Sequence, residues 1–282
     1  MSSNLKSIFG VVVLYNSKFE DTITYKSISQ ALTAFETPLE ILLYDNSPQP
    51  QHNEEYFEDH NFKMHYIHNA SNPGVGKAYN TGAKLAKKIG KNWLLLLDQD
   101  TEFPNTIFDA YFKGIENSPS TKLIAPILHL SNGSIFSPSR YIFNRGFSKK
   151  SVKPGINSLK FSSPVNSGLL VDVGAFEEAG GYNEKIKLDF GDFQFMEKFK
   201  RIRKHFLLLN EICIQDFSND VSDIDSLKKR FDIYCDDAKN CDSYHFYDPL
   251  FYRVNSLLRA VKLCFRTGNI IFFKIWFKKF IF

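Results

Sequence analysis

Nothing in this chain is long and apolar enough to cross a bilayer, because its hydrophobic runs stop short of the roughly 20 residues that a spanning helix needs. Cysteine is scarce. The four present, Cys213, Cys235, Cys241 and Cys264, show neither Cys-x-x-Cys spacing nor a histidine at zinc-site spacing. A disulfide framework and a structural zinc are therefore excluded, and reduced thiols in a cytoplasmic protein are expected. Charge of one sign is also lacking overall: 35 Lys and Arg against 31 Asp and Glu leave a net +4. No nucleic-acid motif accompanies that excess, so no nucleic-acid partner is expected. There is no internal repeat and no low-complexity linker. Lys6 precedes the apolar run Ile8 to Tyr15, but no small-residue cleavage site follows, and the run reads as a first buried strand rather than a signal peptide.

At 282 residues the chain suits one large domain, or one domain with an appendage. Its first hundred residues alternate strand and helix patterns. Strands are expected over Ile8 to Leu14, Leu39 to Tyr44 and Phe62 to Ile67, with another ending at Leu97; helices are expected over Thr22 to Phe35 and Val75 to Ile89. This is a doubly wound α/β pattern, and such sheets bind ligands at the carboxyl ends of their strands. Here those ends read Tyr15-Asn16, Asp45-Asn46, His68-Asn69 and Asp98-Gln99-Asp100. The middle of the chain, 118–163, is rich in Ser, Pro, Gly and Asn and reads as short strands with long loops, a lid on the acceptor side. Val165 to Asp172 is a further strand candidate, followed by a short helix stopped at Gly180-Gly181. From about 222 onward the pattern is helical.

The most informative segment is Trp93-Leu94-Leu95-Leu96-Leu97-Asp98-Gln99-Asp100, a buried-strand run that ends in two carboxylates one residue apart. Mg²⁺ or Mn²⁺ is commonly held by one or two carboxylates together with the oxygens of a substrate diphosphate. The competing reading is a turn, since Asp100-Thr101-Glu102-Phe103-Pro104 looks like the entry to a helix. A phosphatase of the haloacid-dehalogenase type also ends a strand in Asp-x-Asp, but it expects Thr two residues after the second Asp; Glu102 holds that place and Thr101 is one early.

Asn72-Pro73-Gly74-Val75-Gly76 opens a helix carrying Asn80 and Gly82, and could aim backbone N–H groups at an anion. It fails the dinucleotide fingerprint, because Tyr79 stands at the third glycine, and it lacks the Gly-Lys-Ser/Thr of a P-loop. A structural turn with Asn80 packed inside is the alternative, just as Asp45 could cap a turn. Asp189 and Asp192 lie three apart; Asp192 reads either as a helix N-cap or as a general base for an acceptor hydroxyl.

Taken in order, these motifs resemble the family-2 glycosyltransferases and, within them, the rhamnosyltransferase-like branch. The resemblance runs from about Ile8 to Arg203. It rests on Val11 to Asn16, Leu43-Tyr44-Asp45-Asn46-Ser47, Asn72 to Gly76 with Asn80 and Gly82, Leu97-Asp98-Gln99-Asp100, and Gly180-Gly181-Tyr182-Asn183-Glu184 followed by Asp189-Phe190-Gly191-Asp192. It implies a GT-A fold, a Rossmann-like nucleotide-sugar-binding domain with a mixed central sheet, over residues 1–220, with a helical appendage over 221–282. It also implies inverting transfer of a sugar from a dTDP- or UDP-sugar to a surface glycan or lipid-linked acceptor. By the same resemblance Tyr15, Asp45, Gly74, Asn80 and Asp98 would bind the donor, with Asp45 on the base. Asp98 and Asp100 would hold Mg²⁺ or Mn²⁺, Asp192 would be the base, and Asp189 would orient it or bind acceptor.

Two positions depart from the family pattern. Gly191 stands where an acidic residue often precedes the base, and no His follows the next strand, where Ile214-Gln215-Asp216-Phe217 is found; Asp216 could substitute for it, although a surface turn is the expected role. A non-catalytic nucleotide-sugar-binding or membrane-adaptor protein on the same fold is the rival expectation. From Leu257 to the C-terminus six cations, Arg259, Lys262, Arg266, Lys274, Lys278 and Lys279, face no acid. With the aromatics of 269–282 they suggest either a peripheral contact with the inner face of the plasma membrane or packing on the protein.

Overall fold

The computed structural model describes residues 5–216 and 223–281. The expected boundary at 220/221 and the terminal Phe282 lie outside them.

One 11-stranded sheet forms the centre of the molecule. In chain order its strands are β1 (Ile8–Leu14), β2 (Leu39–Asp45), β3 (Tyr56–Glu58), β4 (Phe62–His68), β5 (Trp93–Asp98), β6 (Thr101–Glu102), β7 (Leu123–Leu130) and β8 (Ile135–Ser137), then β11 (Gly155–Ser158), β12 (Leu169–Asp172) and β13 (His205–Gln215). A separate hairpin is made of β9 (Arg140–Ile142) and β10 (Arg145–Phe147). The helices are α1 (Ile23–Leu32), α2 (Val75–Lys88), α3 (Ile107–Asn117), α4 (Val173–Glu178), α5 (Gly191–Ile202), α6 (Ile224–Asn240), α7 (Asp248–Thr267) and α8 (Ile271–Phe280).

The spatial order is β11-β13-β7-β12-β5-β1-β2-β4-β3. β5, β1, β2 and β4 run parallel, whereas β12 lies antiparallel to both β5 and β7. The doubly wound expectation thus holds for the first half, and the reversal at β12 makes the sheet mixed. The apolar run of β5 is continuous because both faces are covered. Leu95 and Leu97 enter one core with Phe108 and Tyr111 of α3, while Leu94 and Leu96 enter the other with Tyr79 of α2 and Phe195 and Phe199 of α5. Gly82 lets α2 lie close against β1: a Cβ there would come within 2.1 Å of Val11 Cγ2.

Two expected elements are shorter than their sequence pattern. The helix expected over Thr22 to Phe35 is α1, Ile23–Leu32, with the Thr22 side chain accepting from Tyr25 N. The strand expected from Val165 is paired only from Leu169, since Gly168 takes φ +74° and gives its carbonyl to Tyr111 Oη at 2.6 Å. That bend turns Asn166 and Ser167 out of the sheet. The segment after β5 also differs from the expected turn into a helix: Thr101 and Glu102 pair with β13, and α3 begins only at Ile107.

α6, α7 and α8 pack around their own core of Phe231, Cys235, Ala260, Leu263, Phe272 and Trp276. The aromatic tail therefore packs on the protein through one face of α8, with Phe272 fully buried. Lys279 is tied to Asp232 and Asp236 at 3.1 and 2.7 Å. This helical unit is joined to the sheet domain by buried polar contacts. Asp237 of α6 accepts backbone N–H groups from Lys187, Leu188 and Asp189 at 2.8–2.9 Å. Gln194 of α5 donates to Tyr252 Oη of α7, and Asn255 donates to Phe143 O. No helix among the described residues is long and apolar enough to cross a membrane.

Candidate functional site

A cleft of about 820 Å³ opens at the carboxyl ends of β1 and β5. Its floor carries Val13, Tyr15, Asp98, Gln99 and Asp100; Asn166, Ser167 and Asp192 enter from the segments after β11 and at the start of α5.

The Asp98-to-Asp100 turn is fixed from several sides. Thr24 Oγ1 donates to Asp98 O at 2.6 Å and accepts from Thr101 N at 3.1 Å. Gln99 is more than a spacer: its Oε1 accepts from Tyr15 N at 2.8 Å and its Nε2 donates to Tyr15 O at 3.3 Å, which ties the end of β5 to the end of β1. Asp98 accepts hydroxyl hydrogen bonds on both oxygens, from Tyr79 and from Ser167. Gln215, at the end of β13, donates to Asp100. Burial raises the carboxyl pKa of both Asp98 and Asp100, and the Asp98 charge pushes Asp100 up further.

Asp192 is not an N-cap. Phe190, in the left-handed region at φ +68°, precedes α5, and Asp192 sits within its first turn. The carboxylate accepts from Asn166 Nδ2 at 3.3 Å, and Asn166 is itself held by Tyr182 Oη. Burial first, then the charge of Asp98, pushes its pKa up to about 7. That value suits a base working near neutral pH. Asp189 is near but differently used: its Oδ1 receives Arg230 Nη2 and Arg259 Nη1, each at 3.3 Å, and its Oδ2 is buried without a hydrogen-bond partner.

Three sequence-predicted residues lie outside the cleft. Asp45 is completely buried, and it accepts from Ser47 N, Gln51 N and Tyr66 Oη; it holds the loop after β2 rather than facing the cleft. Asn80 is turned the other way, toward Tyr182 and Glu184. Gly74, at φ +96°, serves a close approach, because a Cβ there would lie 2.1 Å from Lys187 O. It seats α2 against the loop that leads to Asp192. Tyr15 does line the cleft, half exposed. Asp216 also lines the cleft, and its charge adds to the upward shift of Asp100.

The residues that sequence reading missed come mostly from elsewhere in the chain. Asn166 and Ser167 fall inside the strand expected from Val165, which gives no sign of their contacts with Asp192 and Asp98. Arg145, Arg230, Arg259, Lys262 and Arg266 all line the cleft. The last three belong to the cationic helix face for which the sequence leaves membrane contact and packing on the protein both open.

Among the described residues no group of three or more His, Cys, Asp or Glu side chains is arranged to hold a metal. Asp98 and Asp100 nevertheless suit a cation bound with outside help, because two like charges forced together in a partly buried turn are relieved by positive charge. Asp98 has one hydroxyl donor on each oxygen and Asp100 receives Gln215 on Oδ1, so both carboxylates keep lone pairs for a cation.

Residues 11–160, a little over half of the chain, match the sequence profile described as glycosyl transferase family 2. A 134-residue stretch is 26% identical to dTDP-rhamnosyl transferase RfbF of Shigella flexneri, covering 47% of this chain and 45% of that protein. The match thus spans less than half the length of that relative. Among solved structures, the S. aureus TarS fragment 1-349 in complex with UDP-GlcNAc aligns with a TM-score of 0.55 at 14% identity, over 97% of this chain and 79% of that one. The same fragment crystallised as TarS 1-349 aligns at 0.50 and 14%, over 93% and 92%. With the mixed sheet and its covering helices, these likenesses give the fold as GT-A.

Proposed function

The chain belongs to glycosyl transferase family 2, and from that premise and the geometry of the cleft we propose that it transfers a sugar, with inversion, from a nucleoside diphosphate donor to an acceptor hydroxyl. The observation that carries this reading is the meeting of Asp192 with Asp98 and Asp100 in one cleft. Asp192 takes the proton of the acceptor hydroxyl. That oxygen bonds to the anomeric carbon on the face opposite the leaving group, and the bond from the anomeric carbon to the diphosphate oxygen breaks. Asn166, braced by Tyr182, holds the Asp192 carboxylate in place. Tyr15 and the Gln99 clasp shape the wall where the donor nucleoside would lie. Asp100, with Asp98, would hold Mg²⁺ or Mn²⁺, which when bound supplies charge neutralisation to a leaving diphosphate.

The similarity to a dTDP-rhamnosyl transferase supports rhamnose as the sugar and dTDP as its carrier, with UDP-sugars the alternative suggested by the TarS complex. The acceptor we infer is a surface glycan or a lipid-linked saccharide, reached at the inner face of the membrane. Supporting this, Leu250, Val254, Val261 and Phe265 form a row of exposed apolar residues at helical spacing along α7, outside the cleft lining. The test is release of nucleoside diphosphate from a panel of dTDP- and UDP-sugars, with and without Mn²⁺, followed by NMR of the product linkage. An anomeric configuration opposite to the donor's is expected; retention, or no release from any donor, would overturn the proposal.

A further inference from the structure

The helical unit places cations inside the cleft that the reaction above does not use. Arg230 comes from α6, Arg259, Lys262 and Arg266 from α7, and Arg145 from the β9–β10 hairpin. The spacing of 259, 262 and 266 sets the last three on one helix face. No acid lies on α7 after Asp248, nor on α8. Arg259 is fixed in place, with its guanidinium 4.0 Å from the Tyr234 ring centroid. Arg230 and Arg259 converge on a single oxygen of Asp189, both at the long distance of 3.3 Å. Two guanidiniums sharing one carboxylate leave a net positive charge, and each keeps further N–H donors beyond the one it gives Asp189. Lys262 and Arg266 are exposed at the same wall. Five cations gathered along one wall, with Asp189 shared between two of them and the acids Asp98, Asp100, Asp192 and Asp216 elsewhere in the same cavity, suit an anion from outside.

We propose that this wall binds a phosphate or diphosphate group of a substrate, with Arg259 as its fixed point and Lys262 and Arg266 as its adaptable donors. Arginine forks match phosphate oxygens two at a time, and a lysine adds a point charge. The group has two sources, the donor's diphosphate or a phosphate carried by the acceptor; naming these sources rests on the glycosyl-transfer reading, whereas the anion site itself does not.

The test is isothermal titration calorimetry of the full chain and of the double variant Lys262→Ala/Arg266→Ala with inorganic pyrophosphate, UDP, dTDP, uridine and geranyl diphosphate. Both side chains are exposed, so folding is expected to be unaffected, which the melting temperature checks; Lys262→Arg/Arg266→Lys keeps the charge and is expected to restore binding. Pyrophosphate binding is expected to weaken about tenfold or more in the alanine variant, with uridine unchanged. A parallel loss for UDP and dTDP assigns the site to the donor, and a loss for geranyl diphosphate alone assigns it to a lipid-linked acceptor. Pyrophosphate that fails to bind the wild-type chain, or binds the alanine variant equally well, overturns the proposal. Calorimetry needs no turnover, so these results stand apart from any failure of the sugar-transfer reading.

Discussion

The two walls of the cleft are made in opposite ways. The acidic wall is written into short motifs at strand and helix ends, with Asp98, Gln99 and Asp100 tied by hydrogen bonds to Thr24, Tyr15 and Gln215. The basic wall comes mostly from helices far along the chain, and it faces the cleft because Asp237, Gln194 and Asn255 clamp the helical unit against the sheet domain and the hairpin. The acidic wall is thus held by hydrogen bonds made directly to its own residues, the basic wall by the docking of the unit that carries most of it. A substitution in the first should act on chemistry, and one at the seam should act through position.

The largest effect separates them most sharply. Asp192→Asn is expected to lower kcat/KM by about 10²–10⁴-fold, the usual contribution of a general base. The same change is expected to stabilise the protein at high pH. Burial raises the Asp192 pKa to about 7, whereas in an unfolded chain an aspartate ionises near 4. The folded chain therefore keeps that proton between these values; the stability it contributes is complete below about pH 4 and is lost as pH rises through about 7. Asn cannot ionise, so the melting temperature of the variant should exceed that of wild type by a few degrees at about pH 8, and the gap should close on acidification.

Gly74→Ala comes next. With positive φ and Lys187 O only 2.1 Å from the new Cβ, it should cost about 2–4 kcal/mol in denaturant unfolding and displace the loop before Asp192. Asp237→Asn tests the seam: an amide keeps the size but loses charge-assisted acceptance of three N–H groups, for about 1–3 kcal/mol. It should lower kcat more than it weakens nucleotide binding if it positions Asp189 and Asp192, and leave kcat untouched if the seam is only structural. The smallest effect is expected outside the cleft. Phe265→Asp should leave turnover of a soluble acceptor unchanged while weakening co-sedimentation with anionic vesicles; equal co-sedimentation would remove α7's outer face as the membrane contact.

Most of the sheet was legible in the sequence, because apolar runs bounded by polar strand ends carry their own register. The strand expected from Val165 was overextended, since hydrophobicity gives no sign of the Gly168 bend that frees Asn166 and Ser167. The surroundings of Asp45 and Asn80 are not legible in the sequence for a related reason. Their type and position are those of ligand-binding residues, but the hydrogen bonds that engage them come from Tyr66 and Tyr182, 21 and 102 positions away. Arg259, Lys262 and Arg266 were seen as one helix face, yet the sequence does not say whether a face meets solvent, lipid or a cleft. Only the docking of α7 against the hairpin and the sheet domain settles that.

The central claim is that Asp192 is the base of a sugar-transfer site, and it is tested most directly by the pH dependence of single-turnover donor consumption in wild type and Asp192→Asn. The account predicts a wild-type rate that rises with pH through about 7 and a variant that is slower by at least about 10²-fold with that rise abolished. A variant that turns over at the wild-type rate, or that keeps the same pH profile, would contradict it.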